Sequence, residues 1–277
     1  MDQLLKRLQD TELEILTVVD SFCRNNKINY SLSYGTLIGA VRHEGFIPWD
    51  DDIDLMMYRT EYDRFIKRWL LSPPEGYFLQ TDETDPSYGN NFLKIRKNGT
   101  TFIQDEAEKN CHYHTGVFID IFPVDRVAPP GIQRKMQFLA CQINMLMTRN
   151  HVSGKQGFTG IVERLLLSLP VSTKRQLKRI SFLYKTRWNS SSQDNLLLFW
   201  NGTMFGAKKY FESDLFDSFT ELPFEGNHFK AFSCYDSFLK SYFGDYMQLP
   251  PEEKRKTHHP LVISFDKEYK DLIKDGQ

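Results

Sequence analysis

The strongest constraint in this sequence is a short acidic run that leads directly into an apolar segment. Residues 48–57 read Pro-Trp-Asp-Asp-Asp-Ile-Asp-Leu-Met-Met. In an extended chain successive side chains point to opposite faces, so Asp50, Asp52 and Asp54 are predicted to share one face and Asp51 the other. Carboxylates this close repel one another, and a fold that gathers them needs a cation. Hard oxygen ligands in this pattern favour Mg²⁺ or Mn²⁺.

Two other interpretations of the acidic run were weighed. An isolated Asp triplet is typical of a solvated turn, but the apolar residues that follow favour a buried strand. The spacing also matches a calcium loop, with Glu61 at the twelfth position counted from Asp50. The sixth position of such a loop must be Gly for the sharp turn, and here it is Leu55. The sequence therefore argues against calcium.

A third carboxylate is predicted from a second strand. Residues 116–123 read Gly-Val-Phe-Ile-Asp-Ile-Phe-Pro, a single acid inside an apolar run. Burial of an unpaired carboxylate is costly, so Asp120 is expected to meet a metal ion, an Arg or a Lys. A structural salt bridge is the alternative to a metal role. Asp125, past Pro123, is interpreted as a cap or turn residue.

Periodicity predicts a mixed α/β front half followed by a helical, aromatic-rich half. Within residues 3–24 a stripe at spacings of three and four, typical of a helix, consists of Leu5, Leu8, Glu12, Ile15, Val19 and Phe22. Predicted helices cover residues 3–24, 36–43, 61–71 (capped by Thr60), 132–148 and 161–188, and predicted strands cover 28–34, 52–58, 92–96 and 117–122. A flexible segment is expected at 152–157 and a loop at 189–195. The predicted division is a catalytic core over residues 1–130 and a mainly helical part over 131–277, which completes the substrate cleft.

Composition excludes several classes of protein. Lys and Arg number 35 against 36 Asp and Glu, and this balance argues against a protein that binds nucleic acid. Neither a signal peptide nor a membrane span is expected from the sequence. The four cysteines, Cys23, Cys111, Cys141 and Cys234, show no CxxC pairing, as is typical of free thiols in a reducing cytosol.

The segment before the acidic run has the composition of a phosphate-binding turn. Tyr34-Gly35-Thr36 lies where a predicted strand gives way to a helix, and small residues there let phosphate oxygens approach backbone N–H groups. The order strand, Gly-small turn, helix, Asp-x-Asp resembles that of the nucleotidyltransferase superfamily. More closely, residues 33–55 resemble the signature of the LicD family, residues 118–123 its second block, and residues 242–255 its C-terminal block.

The resemblance implies an α+β fold, with a nucleotidyltransferase-like mixed sheet flanked by helices. It also implies Mg²⁺-dependent transfer of phosphocholine from CDP-choline to a sugar hydroxyl of a surface glycan, with release of CMP. Asp52 and Asp54 would then be catalytic metal ligands that bridge to the donor diphosphate. Asp120 would complete the metal site and orient or deprotonate the acceptor. Asp50 is expected to be an outer ligand or a neighbour of the ligands.

Several alternatives stay open at this point. Relatives of the LicD family use CDP-ribitol, so CDP-ribitol, CDP-glycerol or ordinary nucleotidyl transfer are alternative activities. A choline- or glycan-binding module without turnover is the non-enzyme alternative. Arg42, Lys94 and Arg96 are candidates to bind the diphosphate, although a solvated strand face explains the last two equally well. Trp49 is the first candidate to contact the choline cation, with core packing as the alternative.

Three further patterns carry weaker hypotheses. His112 and His114, near Cys111, suggest zinc but lack a fourth ligand. His258 and His259 are expected at the surface. The basic segment 173–187 is explained by a solvated helix face, and contact with an anionic membrane bearing a lipid-linked acceptor is the alternative. The expected location is the cytoplasm, including the inner face of the cell membrane.

Overall fold

A computed structural model describes residues 3–106, 108–110, 112–148, 157–190, 196–199, 210–255, 257 and 260–274. The chain divides into two compact units. The first comprises Met1–Gln80, Leu93–Phe122 and Asp214–Gln277, and the second comprises Thr81–Phe92 and Pro123–Ser213. The last part of the chain, Asp214–Gln277, belongs to the first unit, and the division into a catalytic core over residues 1–130 and a second part stays a prediction.

The chain forms a mixed α+β structure, as predicted. The helices are α1 (Gln3–Asn26), α2 (Tyr34–His43), α3 (Arg59–Leu71), α4 (Ile132–Thr148), α5 (Gly157–Leu167), α6 (Val171–Thr186), α7 (Tyr235–Phe243) and α8 (Tyr269–Lys274). The strands are β1 (Ser31–Leu32), β2 (Asp54–Tyr58), β3 (Tyr77–Gln80), β4 (Leu93–Lys97), β5 (Thr101–Ile103), β6 (Phe118–Arg126), β7 (Leu196–Phe199), β8 (Tyr210–Glu212), β9 (Phe219–Phe224), β10 (Asn227–Phe232) and β11 (Val262–Ser264).

The sheet of the first unit brings the two predicted acidic elements side by side. Its strand order is β1-β2-β6-β4-β3. The pairs β1–β2 and β4–β6 are antiparallel, and Lys94 of β4 lies opposite Asp120 of β6. The backbone N–H of Asp120 donates to the carbonyl of Ile53 at 2.8 Å, just before β2 begins. Asp120 therefore lies beside the acidic segment, although it is distant in the sequence.

Helix α1 buries one face of its length in the first unit. The apolar members of this face, Leu8, Ile15, Leu16, Val19 and Cys23, are at most 2% exposed. Leu8, Ile15 and Val19 belong to the predicted helical stripe, and Leu16 and Cys23 lie beside it on the same buried face. The stripe also contains one carboxylate, that of Glu12, which is buried to the same extent.

Three predicted elements differ from the structure. The strand predicted over 28–34 is only the two-residue β1, and β2 begins at Asp54 rather than residue 52. The helix predicted to begin at residue 61 begins two residues earlier, at Arg59, as α3. Its N-cap is Tyr58, so Thr60 is not the cap.

Proline 123 does not end β6, contrary to the prediction. Pairing with β4 runs to Ile121, and pairing with β7 begins at Val124. Pro123 lies where one ladder has ended and the next has not begun, so its missing N–H removes no bond of either ladder. Asp125 is consequently a buried strand residue, not a turn residue, and its carboxylate accepts from Asn189 Nδ2 at 2.8 Å.

The second unit is mainly helical, as predicted for this part of the chain. The single helix predicted over 161–188 is instead two helices, because Pro170 stands at the N-cap of α6. Helices α4 and α6 are joined by polar side chains: Gln137 donates to the carbonyl of Lys185 at 2.8 Å and Asn144 to that of Lys178 at 3.1 Å. Within the described ranges, no helix has both the length and the hydropathy needed to cross a membrane.

Some predictions fall on residues that the structure does not describe. The flexible segment at 152–157 lies outside the described residues except for Gly157, which begins α5. The predicted loop at 189–195 is described only for its first two residues, which lie in a short 3₁₀ turn. Cys111, His258 and His259 also lie outside the described residues. Of the remaining cysteines, Cys23 and Cys141 are buried and Cys234 is exposed.

Candidate active site

The acidic segment is built against the beginning of α2. A Cβ atom placed on Gly35 would lie 2.6 Å from Asp50 Oδ2, so only glycine lets that carboxylate approach the helix start. The hydroxyl of Thr36 accepts from the backbone N–H of Asp54 at 2.8 Å. The N–H of Ser33 donates to the carbonyl of Asp54 at 2.9 Å. The predicted turn and the acidic segment therefore form one local structure.

The burial of side chains alternates along the acidic segment as predicted, even though β2 begins at Asp54 and not at residue 52. Asp50, Asp52 and Asp54 are half-buried, whereas Asp51 is 2% exposed and lies on the other side of the chain. The segment is fixed from α1, because Gln9 Nε2 donates to the carbonyl of Asp50 at 2.9 Å. Three carboxylates thus share one face next to the beginning of α2.

The carboxylate of Asp120 is held by a lysine. Lys94 Nζ lies 2.6 Å from Asp120 Oδ1, and the exposed fractions of the two side chains are 9% and 13%. The ammonium group also lies 3.2 Å from the ring centroid of Phe118. The salt bridge weighed for Asp120 is therefore present. Its predicted role in binding metal stays a prediction.

The charge balance of this region is strongly negative. Burial raises the pKa of Asp54 well above its usual value, and the charges of Asp52, Asp120 and Asp50 raise it further, while Lys94 acts in the opposite direction. Burial likewise lowers the pKa of Lys94, against the effect of Asp120. The nearby lysine therefore does not compensate for the acids, and the cluster is suited to an added cation.

Glu12 of α1 adds a further carboxylate that the sequence analysis assigned only to the helical stripe. It is 2% exposed, and its Oε2 atom has no hydrogen-bond partner among the described residues. Burial raises the pKa of Glu12 well above its usual value, and the charges of Asp52, Asp51, Asp50 and Asp120 add to this effect. A charged residue within an apolar helical stripe was the available signal for this residue.

Ser33 contributes a second buried polar group at this site. Its side chain is fully buried, and within the described part of the chain its Oγ makes no hydrogen bond. It immediately precedes α2, whose first N–H groups have no partners within the helix. Tyr34, the next residue, adopts a φ of +43°, a strained conformation for a non-glycine residue. Its ring is held edge-on by Phe122 at 5.6 Å and Tyr242 at 5.4 Å.

The side chains present do not form a closed metal centre as they stand. Among the described residues, no three Asp, Glu, His or Cys side chains are grouped closely enough to hold a metal ion. The donor set nevertheless fits Mg²⁺ or Mn²⁺, because it consists of carboxylate oxygens and because one buried oxygen, Oε2 of Glu12, has no hydrogen-bond partner in the described ranges. The carboxylates would have to converge on the ion when it binds.

Comparison with known proteins decides the family of this chain. Residues 27–136 match the LicD/FKTN/FKRP nucleotidyltransferase domain. The chain is 32% identical over 266 residues to the lipopolysaccharide cholinephosphotransferase LicD of Haemophilus influenzae. The aligned region covers 91% of this chain and 96% of the relative. The chain belongs to the LicD family.

Two other relatives match a shorter part of this LicD-family chain. Uncharacterised proteins of Rickettsia prowazekii and Rickettsia typhi are each 46% identical over 59 residues, or 21% of this chain and 19% and 16% of theirs. The predicted family is confirmed, and with it the predicted enzyme class, a phosphotransferase.

Arg42 connects the first LicD block to the C-terminal block. Its Nη1 donates to the carbonyl of Tyr246 at 2.6 Å, and its Nε donates to His43 Nε2 at 2.9 Å. His43 is half-buried, not a fully exposed histidine. Binding of the diphosphate by Arg42 stays a prediction, while the observed contacts show that the guanidinium holds the segment after α7.

Trp49 is contacted by the same C-terminal block. The guanidinium carbon of Arg255 lies 5.0 Å from its ring centroid, and Thr257 Oγ1 donates to its carbonyl at 3.0 Å. The ring is half-buried, so packing alone does not enclose it. An aromatic face that already meets a cation is compatible with the predicted choline contact, which stays a prediction.

Arg96 and the histidines have contacts within the fold. Arg96 is 3% exposed and donates to Gln80 Oε1 at 2.5 Å and to the carbonyl of Gly116 at 2.6 Å. These contacts favour a structural role over diphosphate binding. His114 stacks on Phe78 and accepts from the N–H of Gly116 through Nδ1, and within the described residues neither His112 nor His114 belongs to a metal group.

The structure adds one supporting residue that sequence reasoning missed. Glu225, in the turn between β9 and β10, accepts from the N–H of Phe46 at 3.1 Å and from Lys6 Nζ at 3.2 Å. A Cβ on Gly45 would lie against its carboxylate. Glu225 therefore fixes the chain just before the acidic segment. A contact between residues so far apart in sequence leaves no local pattern to detect.

Proposed function

We propose that this LicD-family protein transfers phosphocholine from CDP-choline to a sugar hydroxyl of a cell-surface glycan and releases CMP. The acceptor class is a lipopolysaccharide, teichoic acid or similar glycan, including its lipid-linked precursor. The observation that carries the proposal is the match over nearly the full length of a lipopolysaccharide cholinephosphotransferase. The acidic site supports it, because a diphosphate donor needs a cation-binding centre.

The proposed metal ligands are Asp52, Asp54 and Asp120, with Asp50 next to them. When bound, Mg²⁺ or Mn²⁺ would neutralise the donor diphosphate and stabilise the charge that develops on the leaving CMP. Support comes from the pKa of Asp54, which burial and the neighbouring carboxylates raise. Without a cation, a donor that carries further negative charge would be repelled from this site.

The protein groups around the site have assignable roles in this reaction. The first N–H groups of α2, which have no partner within the helix, and the hydroxyl of Ser33 are suited to binding phosphate oxygens. Thr36 holds the backbone of Asp54 in place. Lys94 holds the Asp120 carboxylate in position, where Asp120 can accept the proton of the acceptor hydroxyl.

The bond changes distinguish this reaction from nucleotidyl transfer. The acceptor oxygen attacks the phosphorus that bears choline, and the bond from that phosphorus to the bridging oxygen breaks. The electron pair leaves on CMP, and the hydroxyl proton passes to Asp120. Attack on the other phosphorus would instead transfer CMP. The acidic site serves either reaction, so the family relationship alone favours the first.

The other members of the family suggest a second candidate for the donor substrate. The matched domain is shared with FKTN and FKRP, and the resemblance implies CDP-ribitol for those relatives. Another CDP-alcohol, CDP-ribitol or CDP-glycerol, is therefore the second candidate donor.

The test is incubation of the full chain with Mg²⁺, a glycan acceptor and a panel of CDP-choline, CDP-ribitol, CDP-glycerol and CTP. We expect CMP release with CDP-choline and acceptor-bound phosphocholine by mass spectrometry. CMP release only with another CDP-alcohol would replace the donor. Pyrophosphate release from CTP would overturn the reaction type, and binding of choline without turnover by any donor would favour a binding module.

A further inference from the structure

The second unit exposes an apolar stripe along α4. Ile132, Met136 and Leu139 are 72%, 44% and 48% exposed, and the half-buried Ile143 and Leu146 continue the same spacing of four and three residues. These residues lie on the side of α4 opposite Gln137 and Asn144, which bind α6. The helix is therefore apolar on a face that this unit does not use for packing.

Helices α5 and α6 extend this exposure. Leu165 of α5 is 63% exposed, and Ile180 and Leu183 of α6 are 63% and 57% exposed. Single exposed apolar residues are ordinary on protein surfaces, but a set on three consecutive helices is characteristic of an interaction surface.

The same helices contain many basic residues and almost no acidic ones. The sequences of α4, α5 and α6 contain a single acidic residue, Glu163, which is buried, and these basic residues: Arg134, Lys135, Arg164, Lys174, Arg175, Lys178, Arg179 and Lys185. The whole chain has a formal charge of −1, so basic charge is concentrated here. Arg175 and Arg179 are exposed on α6 and form no ion pair with any residue in the described ranges.

We propose that the outward faces of α4, α5 and α6 bind the surface of an anionic lipid membrane. Exposed apolar side chains enter the boundary between head groups and acyl chains, while arginine and lysine side chains meet the lipid phosphates. The contact is peripheral, since no helix in the described part of the chain could span the bilayer. It would place the enzyme where a lipid-borne glycan acceptor is presented, which goes beyond the proposed transfer reaction.

Charge favours a membrane over a second copy of the chain as the occupant of this surface. In a twofold-symmetric dimer each face meets its own copy, so exposed arginines such as Arg175 and Arg179 would lie opposite like charges. An anionic bilayer has the complementary charge and also accepts the apolar side chains.

The proposal is tested by flotation of the full chain with vesicles. Vesicles of phosphatidylethanolamine with about 30% phosphatidylglycerol provide the anionic surface at low and at high salt. We expect binding at low salt that weakens as salt rises. The double variant R175E/R179E should bind at least about ten-fold more weakly, because each basic group near the surface contributes about five-fold. The variant M136S/L139S should reduce binding about five-fold at constant charge.

Matched controls separate this contact from the active site. The variant K67E/R68E reverses two exposed charges on α3 of the first unit and should bind vesicles like the wild type. Phosphatidylcholine vesicles carry the phosphocholine head group without net charge, so capture of that head group by the active site would appear there. CMP release with a soluble acceptor should be unchanged in all three variants, which keeps a failure here distinct from a failure of the proposed function.

Three outcomes would overturn the proposal. The first is no flotation with anionic vesicles at low salt. The second is equal binding of R175E/R179E, the control and the wild type, or equal binding to neutral vesicles. The third is a wild-type dimer in sedimentation that M136S/L139S dissociates, which would assign the apolar stripe to a second copy.

Discussion

The acidic site of the first unit and the helical surface of the second unit depart from ordinary protein architecture in opposite ways. The site buries carboxylates, including those of Asp51 and Glu12, close to other acids. The helical surface leaves Ile132, Leu165 and Ile180 in contact with water. Each arrangement is unfavourable for the isolated chain and would become favourable with the partner that we propose for it, a divalent cation in one case and a lipid surface in the other. The comparison teaches that both buried charge and exposed apolar surface mark where a protein binds something else.

The largest expected effect comes from removing charge at the site. Asp54→Asn should lower transfer by at least about 10³-fold, because the variant loses a proposed metal ligand. The metal-free variant should stay folded and become more stable, since the pKa of Asp54 shows that its ionised form is disfavoured. CMP release and thermal unfolding measure the two effects. Asp63→Asn, at an exposed position of α3, is the matched control, and near-normal transfer by Asp54→Asn would refute the metal role.

The next largest effect is expected on stability when Lys94, the cation paired with the Asp120 carboxylate, is removed. Lys94→Met should destabilise the protein by about 3 kcal/mol, because it leaves a largely buried carboxylate without this cation. Lys97 lies on the opposite face of β4 and pairs with the half-exposed Glu14. Lys97→Met should therefore cost less than about 1 kcal/mol. Urea unfolding of both variants tests the difference, and equal costs would remove the distinction between buried and surface pairs.

A smaller effect is expected on the pH dependence of stability, and it should differ in sign between Glu12 and Glu14 of α1. The pKa of Glu12 is raised above its usual value of 4.5, so the folded state holds a proton that the unfolded chain releases as pH rises. The metal-free protein should therefore lose stability as pH rises above about 4.5. Glu12→Gln should flatten this dependence and be more stable at neutral pH by about 1 kcal/mol.

Glu14 is the matched control for Glu12. Partial burial acts to raise the pKa of Glu14, but hydrogen bonds from Lys97 and Tyr77 outweigh it and hold this pKa below its usual value. The ionised Glu14 therefore stabilises the folded protein at pH values above the pKa of Glu14 in the unfolded chain. This stabilisation is lost as the pH falls through the lower pKa of the folded state. Glu14→Gln should therefore lose stability at neutral pH, opposite in sign to Glu12→Gln. Unfolding measured across pH with a chelator present would contradict the argument if both variants shifted in the same direction.

The smallest expected effect lies on the helical surface. Leu183→Ala should change the unfolding free energy by less than about 0.5 kcal/mol, because that side chain is largely exposed. Leu16→Ala, in the fully buried face of α1, should cost about 3 kcal/mol. Urea unfolding measures both. A large loss in Leu183→Ala would show that this side chain supports the fold and would weaken the comparison.

Secondary structure was predictable where one periodicity persisted without interruption. Helix α4 begins and ends at the predicted residues because its apolar spacing is continuous over its length. The same periodicity ran across Pro170, and the prediction joined α5 to α6 although proline cannot continue a helix there. Pro123 produced the opposite error, since a proline between two pairing partners does not interrupt a strand. Local composition does not reveal where a strand changes partners.

The candidate site was predictable as far as its residues are close in sequence. The approach of Asp50 to Gly35 and the bond from Asp54 to Thr36 both lie within the first LicD block. The partner of Asp120 depends on the register of β4 and β6. Lys94 was therefore predicted only as a candidate to bind the diphosphate, and the partner of Asp120 only as a metal ion, an Arg or a Lys. Glu12 was visible as a charge in an apolar stripe, but its distance from the acidic run could not be inferred from spacing.

Glu225 has a consequence for synthesis of the chain. It binds Lys6 and the backbone of Phe46, so the loop before the acidic segment acquires this support only after residue 225 has left the ribosome. Contacts from Arg42 to Tyr246 and from Trp49 to Arg255 form later still. A nascent chain that ends before these residues would present its carboxylates without their final restraints. The proposed binding of a cation should therefore become possible only after residue 255 has joined the fold.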